Sequence, residues 1–412
     1  PCEPVSTRST RSGLLCRRNA VQDGVMDSIV IIGGGLAAAN AVETLRDEGF
    51  TGPITVVADE PVLPYERPPL SKDVLQGNAE FEVLHDAQWY GERTVRVITG
   101  AQATAVDLAS RSVTLSAGEE LHYDRLLLAT GAEPRRPDVP GAERALVLRT
   151  HADEQLLRST FAEGVRLVII GGGWIGLEAA ASARRAGVDV TVLVRGEAPL
   201  ERVLGADLAE HLITLHGSHG VDIRTGVSVS AITEAGVETS EGVVAADVVL
   251  AATGVAPNTA LAEAAGLAVT EGIVADGGLR TSDPNVWVAG DAALALNTAL
   301  GLLRVEHWDN AIRQGKLAAR SMLGQDVAYD WQPYFFTDQF EFSMEYVGHG
   351  SPSDTVELRG DVAGNEFIAY WLGGPDGRTV TAGMNVGIWD VNDTLRGLIG
   401  TTVTPDELTD LR

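Results

Sequence analysis

The sequence predicts an α/β protein that uses one βαβ unit twice and closes with a small α+β domain. Three observations carry that expectation. Residues 29–39, "IVIIGGGLAAA", and residues 167–180, "LVIIGGGWIGLEAA", set the same apolar run against the same triple glycine. After each turn comes an Ala-rich segment with helical spacing and then a second apolar run, which is the order and length of a βαβ unit. From about residue 327 the texture changes to alternating, aromatic-rich runs, two of them separated by Gly-Gly-Pro-Asp-Gly, as antiparallel hairpins require.

Size and composition allow this plan. A chain of 412 residues, 45% apolar, can build two or three domains with real cores. No apolar run approaches the roughly 20 residues that span a bilayer, and no secretory h-region is present, so a cytoplasmic protein without a membrane span is expected. The net charge of −26 comes from scattered acids, a solvated surface that argues against a nucleic-acid partner. Residues 1–25 differ from the rest. They are rich in Ser, Thr and Arg and have no period, so they read either as a transit-like segment or as an extension or disordered tail ahead of a start at Met26. Both cysteines, Cys2 and Cys16, lie there. The body from Met26 onward therefore offers no dithiol, no thiolate nucleophile and no cysteine-held cluster or zinc. No metal ligand is assigned.

Taken in order, "SIVII" reads as a strand buried on both faces, and "LAAANAVETLRDEGF" as a helix ending at Gly49. Gly33 and Gly171 allow a tight strand-to-helix turn. Gly35 and Gly173 let a pyrophosphate approach the backbone, and Ala38 and Gly176 let each helix pack close to its sheet. Leu36 and Ala37, like Trp174 and Ile175, begin helices whose free N–H groups face the phosphates. An ordinary close-packed βαβ turn could show one such match. Two matches in the same setting point to two Rossmann-like dinucleotide-binding domains. The runs "YDRLLLATGAEPR" at 123–135 and "ADVVLAATGVAPNT" at 246–259 each close on Ala-Thr-Gly: Ala129, Thr130 and Gly131, then Ala252, Thr253 and Gly254. A Pro-containing crossover follows each, the first carrying Arg135. In "NVWVAGDAA" a strand ends at Gly290-Asp291 and a helix-like segment follows. Asp291 suits a sugar hydroxyl or an N-cap for that helix. "VNDTLRGLIG" reads as a short closing helix.

At this point the residues carry a family. Residues 27–412 resemble the FAD-dependent pyridine-nucleotide ferredoxin reductases of bacterial oxygenase and cytochrome P450 systems. Their fold resembles the glutathione reductase superfamily. The narrowest marker is "LPYERPPLSKDVL" at 63–75; "RVEHWDNAIRQG" and "PYFFTDQF" also match in order and spacing. The mitochondrial apoptosis-inducing flavoproteins share the framework. The resemblance implies that the first glycine turn holds FAD and the second a nicotinamide nucleotide. It also implies a discontinuous FAD domain at 26–137 and 256–326, an NAD(P) domain at 138–255 and the α+β domain at 327–412. Asp59, with Glu60 as the alternative, would hold the adenosine ribose, and Asp291 the ribityl chain. Arg67 and Lys72 would flank the flavin, although Lys72 taken alone reads as a surface lysine. Glu178 would meet Lys72 beside flavin N5. Glu306, His307 and Trp308 would lie near the nicotinamide and the pyrimidine side of the flavin, with plain core packing as the other reading of Trp308. Phe336 stands where many relatives carry tryptophan.

The function so implied is hydride transfer from NAD(P)H to FAD, then one-electron transfers to a [2Fe–2S] ferredoxin or rubredoxin. The alternatives are an NAD(P)H oxidase or diaphorase of the same fold, and a redox-sensing flavoprotein like the apoptosis-inducing relatives. Monomer and homodimer both stay open. Val194 and Arg195 stand where NADH-preferring relatives carry a glutamate. NADPH use at least equal to NADH is therefore expected, unless Arg195 points to solvent and Glu197 serves as the ribose acid.

Overall fold

The structure is a computed structural model and describes residues 27–411. The readings of residues 1–25 fall outside the described residues. Five parallel strands form the first sheet, in the spatial order Val286–Val288, Arg125–Leu128, Ile29–Ile32, Ile54–Val57 and Val95–Ile98. Four parallel strands form the second, in the order Asp222–Arg224, Asp189–Leu193, Arg166–Ile170 and Val248–Ala251. In both sheets the strand that enters a glycine turn lies between the strand that follows its helix and the strand that ends in Ala-Thr-Gly. Ile29–Ile32 is buried at every residue, which is why it is apolar without alternation.

The glycines make this order possible. Gly33 has φ +121°, and a Cβ there would lie 2.0 Å from the Ala129 carbonyl oxygen; Gly171 has φ +115°, and its Cβ would lie 2.2 Å from the Ala252 oxygen. Each turn thus rests on the backbone of its own Ala-Thr-Gly. The two crossovers then pair with each other, Ala132–Pro134 antiparallel to Val255–Pro257. Thr130 Oγ1 donates to the Asn258 carbonyl at 2.7 Å, and Thr253 Oγ1 donates to the Arg135 carbonyl at 2.7 Å. The two threonine hydroxyls therefore clasp the crossovers. After the second crossover the chain returns to the first sheet with Val286–Val288. Helix Trp308–Met322 then packs on helix Leu36–Asp47, and the missing side chain of Gly315 admits the Ala37 carbonyl, which a Cβ would meet at 2.3 Å.

One local expectation is corrected here. The segment after Asp291 is not a helix but a strand, Ala293–Asn297, paired parallel to Ile273–Ala275 and antiparallel to Gly301–Leu303. Asn297 Oδ1 accepts from the Ala299 and Leu300 N–H groups, and Gly301 has φ +80°, so the Ala/Leu run turns back as a hairpin. Asp291 consequently caps no helix.

The closing sheet is antiparallel, in the order Tyr334–Gln339, Phe342–Gly348, Thr379–Val386, Glu366–Gly373 and Thr355–Asp361. Both of its faces are covered. Ile368, Tyr370 and Val380 pack under Leu395 of helix Asn392–Leu398. Met344, Trp371 and Met384 share a core with Leu177, Leu208 and Leu212 of the second parallel-sheet unit. No helix among the described residues is long and apolar enough to cross a membrane.

Candidate functional site

The two glycine turns present matching cradles. Gly35 and Gly173 are the N-caps of their helices, neither has a side-chain cap, and neither helix has an acid in its first turn. A Cβ on either glycine would meet nothing within 4 Å. The helix ends therefore combine open space, unsatisfied N–H groups and the positive end of a helix dipole, which suits a pyrophosphate. By contrast Gly33, Gly171 and Gly176 face backbone within 2.0–2.3 Å, so their role is to let the turn close. Leu36, Ala37 and Ala38 are buried behind the first turn. At the second, Trp174 is half-buried and Ile175 is exposed.

The mouth of the first cradle is lined by a polar chain. Arg67 Nη2 donates to Glu60 Oε1 at 2.7 Å, and Tyr65 donates its hydroxyl hydrogen to Glu60 Oε2 at 2.5 Å. Arg67 also donates to the Arg149 carbonyl at 2.6 Å. Arg149 Nη2 in turn donates to Asp291 Oδ2 at 2.6 Å. Both oxygens of Glu60 are thus engaged, whereas Asp59 is exposed at the strand end and, among the described residues, accepts only from the Glu60 N–H. Arg149 escaped the sequence reading, because nothing local distinguishes an arginine 142 positions from its carboxylate partner.

Lys72 and Glu178 meet at one buried point. Lys72 Nζ lies 2.9 Å from Glu178 Oε1, and Glu178 is only 3% exposed. The carboxylate also accepts from Ser71 Oγ and Thr337 Oγ1, each at 2.5 Å. The ammonium sits 5.2 Å from the centre of the Phe336 ring, and that ring is edge-on to Trp308 at 6.0 Å. Four of the five residues expected to serve the chemistry therefore converge. Glu306 stands apart, exposed and ion-paired with Arg304. An aromatic wall closes the site, with Phe335 touching Trp174, His307 and Tyr346 at ring distances of 4.6–5.0 Å. Burial pushes His307 down to about 4, so its ring is neutral at pH 7.

Several buried polar atoms here have no hydrogen-bond partner among the described residues: Arg149 Nε, His307 Nδ1, Trp308 Nε1 and Gln314 Nε2. The Gln314 carbonyl oxygen meanwhile accepts from the Gly290 N–H at 2.9 Å. Native interiors rarely leave such atoms unpaired. Their grouping around Gly290-Asp291 and the first turn fits a polar ligand between them. At the second cradle Val194 is buried against Gly172, while Arg195 and Glu197 are exposed and have no ion-pair partner among the described residues. Ala252 and Thr253 border that cradle through the Gly171 contact, and Gly254, at φ +90°, follows them outside it. Among the described residues no cluster of His, Cys, Asp and Glu could hold a metal ion.

The chain is similar to known proteins in sequence and in fold. The family described as pyridine nucleotide-disulphide oxidoreductase matches residues 27–315. Rhodocoxin reductase of Rhodococcus erythropolis is 39% identical over 83% of this chain and 83% of its own length. The ferredoxin–NAD(+) reductase component of the anthranilate 1,2-dioxygenase system of Burkholderia cepacia is 37% identical over 86% and 90%. Among solved structures, the covalent putidaredoxin reductase–putidaredoxin complex aligns with a TM-score of 0.88 at 34% identity, covering 93% of this chain and 95% of that one.

Proposed function

We propose, because this chain belongs to the pyridine nucleotide-disulphide oxidoreductase family and sides within it with ferredoxin reductases of oxygenase systems, that it is a cytoplasmic NAD(P)H-dependent flavoprotein that reduces a [2Fe–2S] ferredoxin or a rubredoxin. The observation that carries the reading is the buried contact of Lys72 with Glu178. There a residue from the Pro-Pro-Leu-Ser-Lys segment of the first unit meets the helix of the second glycine turn. The family description names a disulphide, yet no cysteine stands among the described residues. A dithiol formed by those residues is therefore excluded, and the electrons leave for an external acceptor.

The first cradle fits FAD: it offers an uncapped helix N-terminus, space at Gly35, and unpaired donors on Arg149 and Gln314. When bound, FAD supplies hydride acceptance from a reduced nicotinamide and one-electron delivery to an iron–sulfur protein. Everything else falls to the chain. Asp59 takes the adenosine ribose, since Glu60 is engaged by Arg67 and Tyr65. Arg149 fixes Asp291 for the ribityl hydroxyls. Lys72, held by Glu178, presents positive charge where reduction places negative charge. Phe336, Trp308 and the Phe335 wall exclude water from that place. The same reading assigns residues 26–137 and 256–326 to FAD, 138–255 to the nucleotide, and 327–412 to closing the site.

The test is reduction of cytochrome c by the purified protein and reduced nucleotide, with and without a [2Fe–2S] ferredoxin. The rate is expected to rise in proportion to added ferredoxin. Rapid turnover that ferredoxin leaves unchanged would overturn the proposal in favour of an oxidase or diaphorase. A slow protein that forms a persistent charge-transfer complex would favour a redox sensor instead.

A further inference from the structure

Glu178 is reached by a buried chain of neutral side chains from two other elements. Thr337 and Gln339 stand on one face of strand Tyr334–Gln339, and His216 on helix Ala206–Ser218; all three are fully buried. Thr337 Oγ1 lies 2.5 Å from Glu178 Oε1, Gln339 Nε2 lies 3.2 Å from Thr337 Oγ1, and His216 Nε2 lies 3.0 Å from Gln339 Oε1. Chemistry leaves one direction for these bonds. An ionised carboxylate only accepts, so the single hydroxyl hydrogen of Thr337 goes to Glu178. The Thr337 oxygen then accepts from the Gln339 amide, and the Gln339 carbonyl accepts from His216 Nε2–H. Burial pushes His216 down to about 4, so the ring is neutral and carries its one hydrogen on Nε2. Three donors in series all point toward Glu178 and, through it, toward Lys72.

Burying three polar side chains where an apolar trio would pack costs desolvation, and aligned hydrogen bonds polarise one another in a low dielectric. We propose that His216, Gln339 and Thr337 are positioning residues that fix the Glu178 carboxylate and aim the positive ends of three aligned dipoles at the Lys72 side of the flavin site, so that the closing sheet helps set the reduction potential of the bound flavin. The inference rests on the reading that FAD occupies the first cradle beside Lys72. It gives the residues a role beyond holding a nucleotide, since none of them lies at either glycine turn.

The measurement is the two-electron midpoint potential of the bound flavin, by anaerobic titration against a reference dye, together with flavin content from absorbance. Thr337→Val keeps the shape and removes the donor; His216→Leu cuts the far end and touches neither Lys72 nor Glu178; Thr337→Ser restores the donor. Thr337→Val is expected to retain flavin and to lower the reduced-to-oxidised ratio about tenfold, a drop of about 30 mV for a two-electron couple. His216→Leu should lower the potential in the same direction by less, and Thr337→Ser should return it to the wild-type value. Unchanged potentials in flavin-loaded Thr337→Val and His216→Leu would overturn the inference, as would an equal fall in Thr337→Ser. Should Thr337→Val fail to fold, His216→Leu decides by the same sign. A wild-type protein that binds no flavin would overturn the functional reading instead, which keeps the two failures distinct.

Discussion

Arg195 decides a question that the glycine turns leave open. The strand Asp189–Leu193 delivers Val194 into the core against Gly172, and Arg195 and Glu197 are the exposed charged residues that follow it at the second cradle. With no carboxylate at 194 or 195 to repel a 2′-phosphate and a guanidinium free to pair with it, NADPH should serve at least as well as NADH. Arg195→Ala should lower kcat/KM for NADPH about tenfold, or about 1.4 kcal/mol, and leave NADH nearly unchanged. A large NADH preference that the substitution does not alter would reject this assignment. At the same scale, Lys72 and Glu178 were legible because the Pro-Pro-Leu-Ser-Lys segment is narrow and distinctive. Arg149, Thr337 and Gln339 were not, since each gains its meaning from a partner more than 100 positions away. The one local hint was "FFTDQ", which places Thr and Gln at alternate positions of a strand where apolar residues would ordinarily be buried.

Within each βαβ unit, the first and third glycines of the turn do different work. Gly171, at φ +115° and 2.2 Å from the Ala252 oxygen, cannot take a side chain without moving the Ala-Thr-Gly backbone. Gly173 can take one, because its φ of −84° is ordinary and no protein atom stands within 4 Å. Gly171→Ala should therefore destabilise the fold by ~2 kcal/mol or more. Gly173→Ala should leave the thermal transition near the wild-type value. Equal losses in the two variants, read by thermal unfolding, would contradict the account. The strands and helices of both units were readable from period and punctuation. The exception is instructive. "AALALNTALG" has helical composition, but its partner strand Ile273–Ala275 lies 20 residues upstream, and the Asn297 turn with Gly301 folds it as a hairpin. Nonlocal pairing outweighed local propensity.

Across the whole molecule, the closing sheet and the second parallel-sheet unit share a core, and His216 is buried in their seam. Its ring is driven from an ordinary value of 6.5 to about 4 by burial. Below pH 6.5 the unfolded chain takes up a proton that the folded chain refuses. The associated stability is therefore complete above 6.5, falls by about 1.4 kcal/mol per pH unit as the pH drops, and levels off below about 4. Urea unfolding at pH 7 and pH 5 should show a smaller acid loss in His216→Gln than in the wild type, by about 2 kcal/mol; an identical loss would show that the histidine is not held neutral. On the proposed function, two copies of one turn divide the labour across the molecule, the first storing FAD and the second receiving the exchangeable nucleotide. The most direct measurement pairs Gly35→Ala with Gly173→Ala, both of which place a methyl group in open space, and reads bound flavin by absorbance and nucleotide by KM. Gly35→Ala should lose flavin, while Gly173→Ala should keep it and raise the KM for reduced nucleotide. Flavin lost from Gly173→Ala and retained by Gly35→Ala would contradict the account.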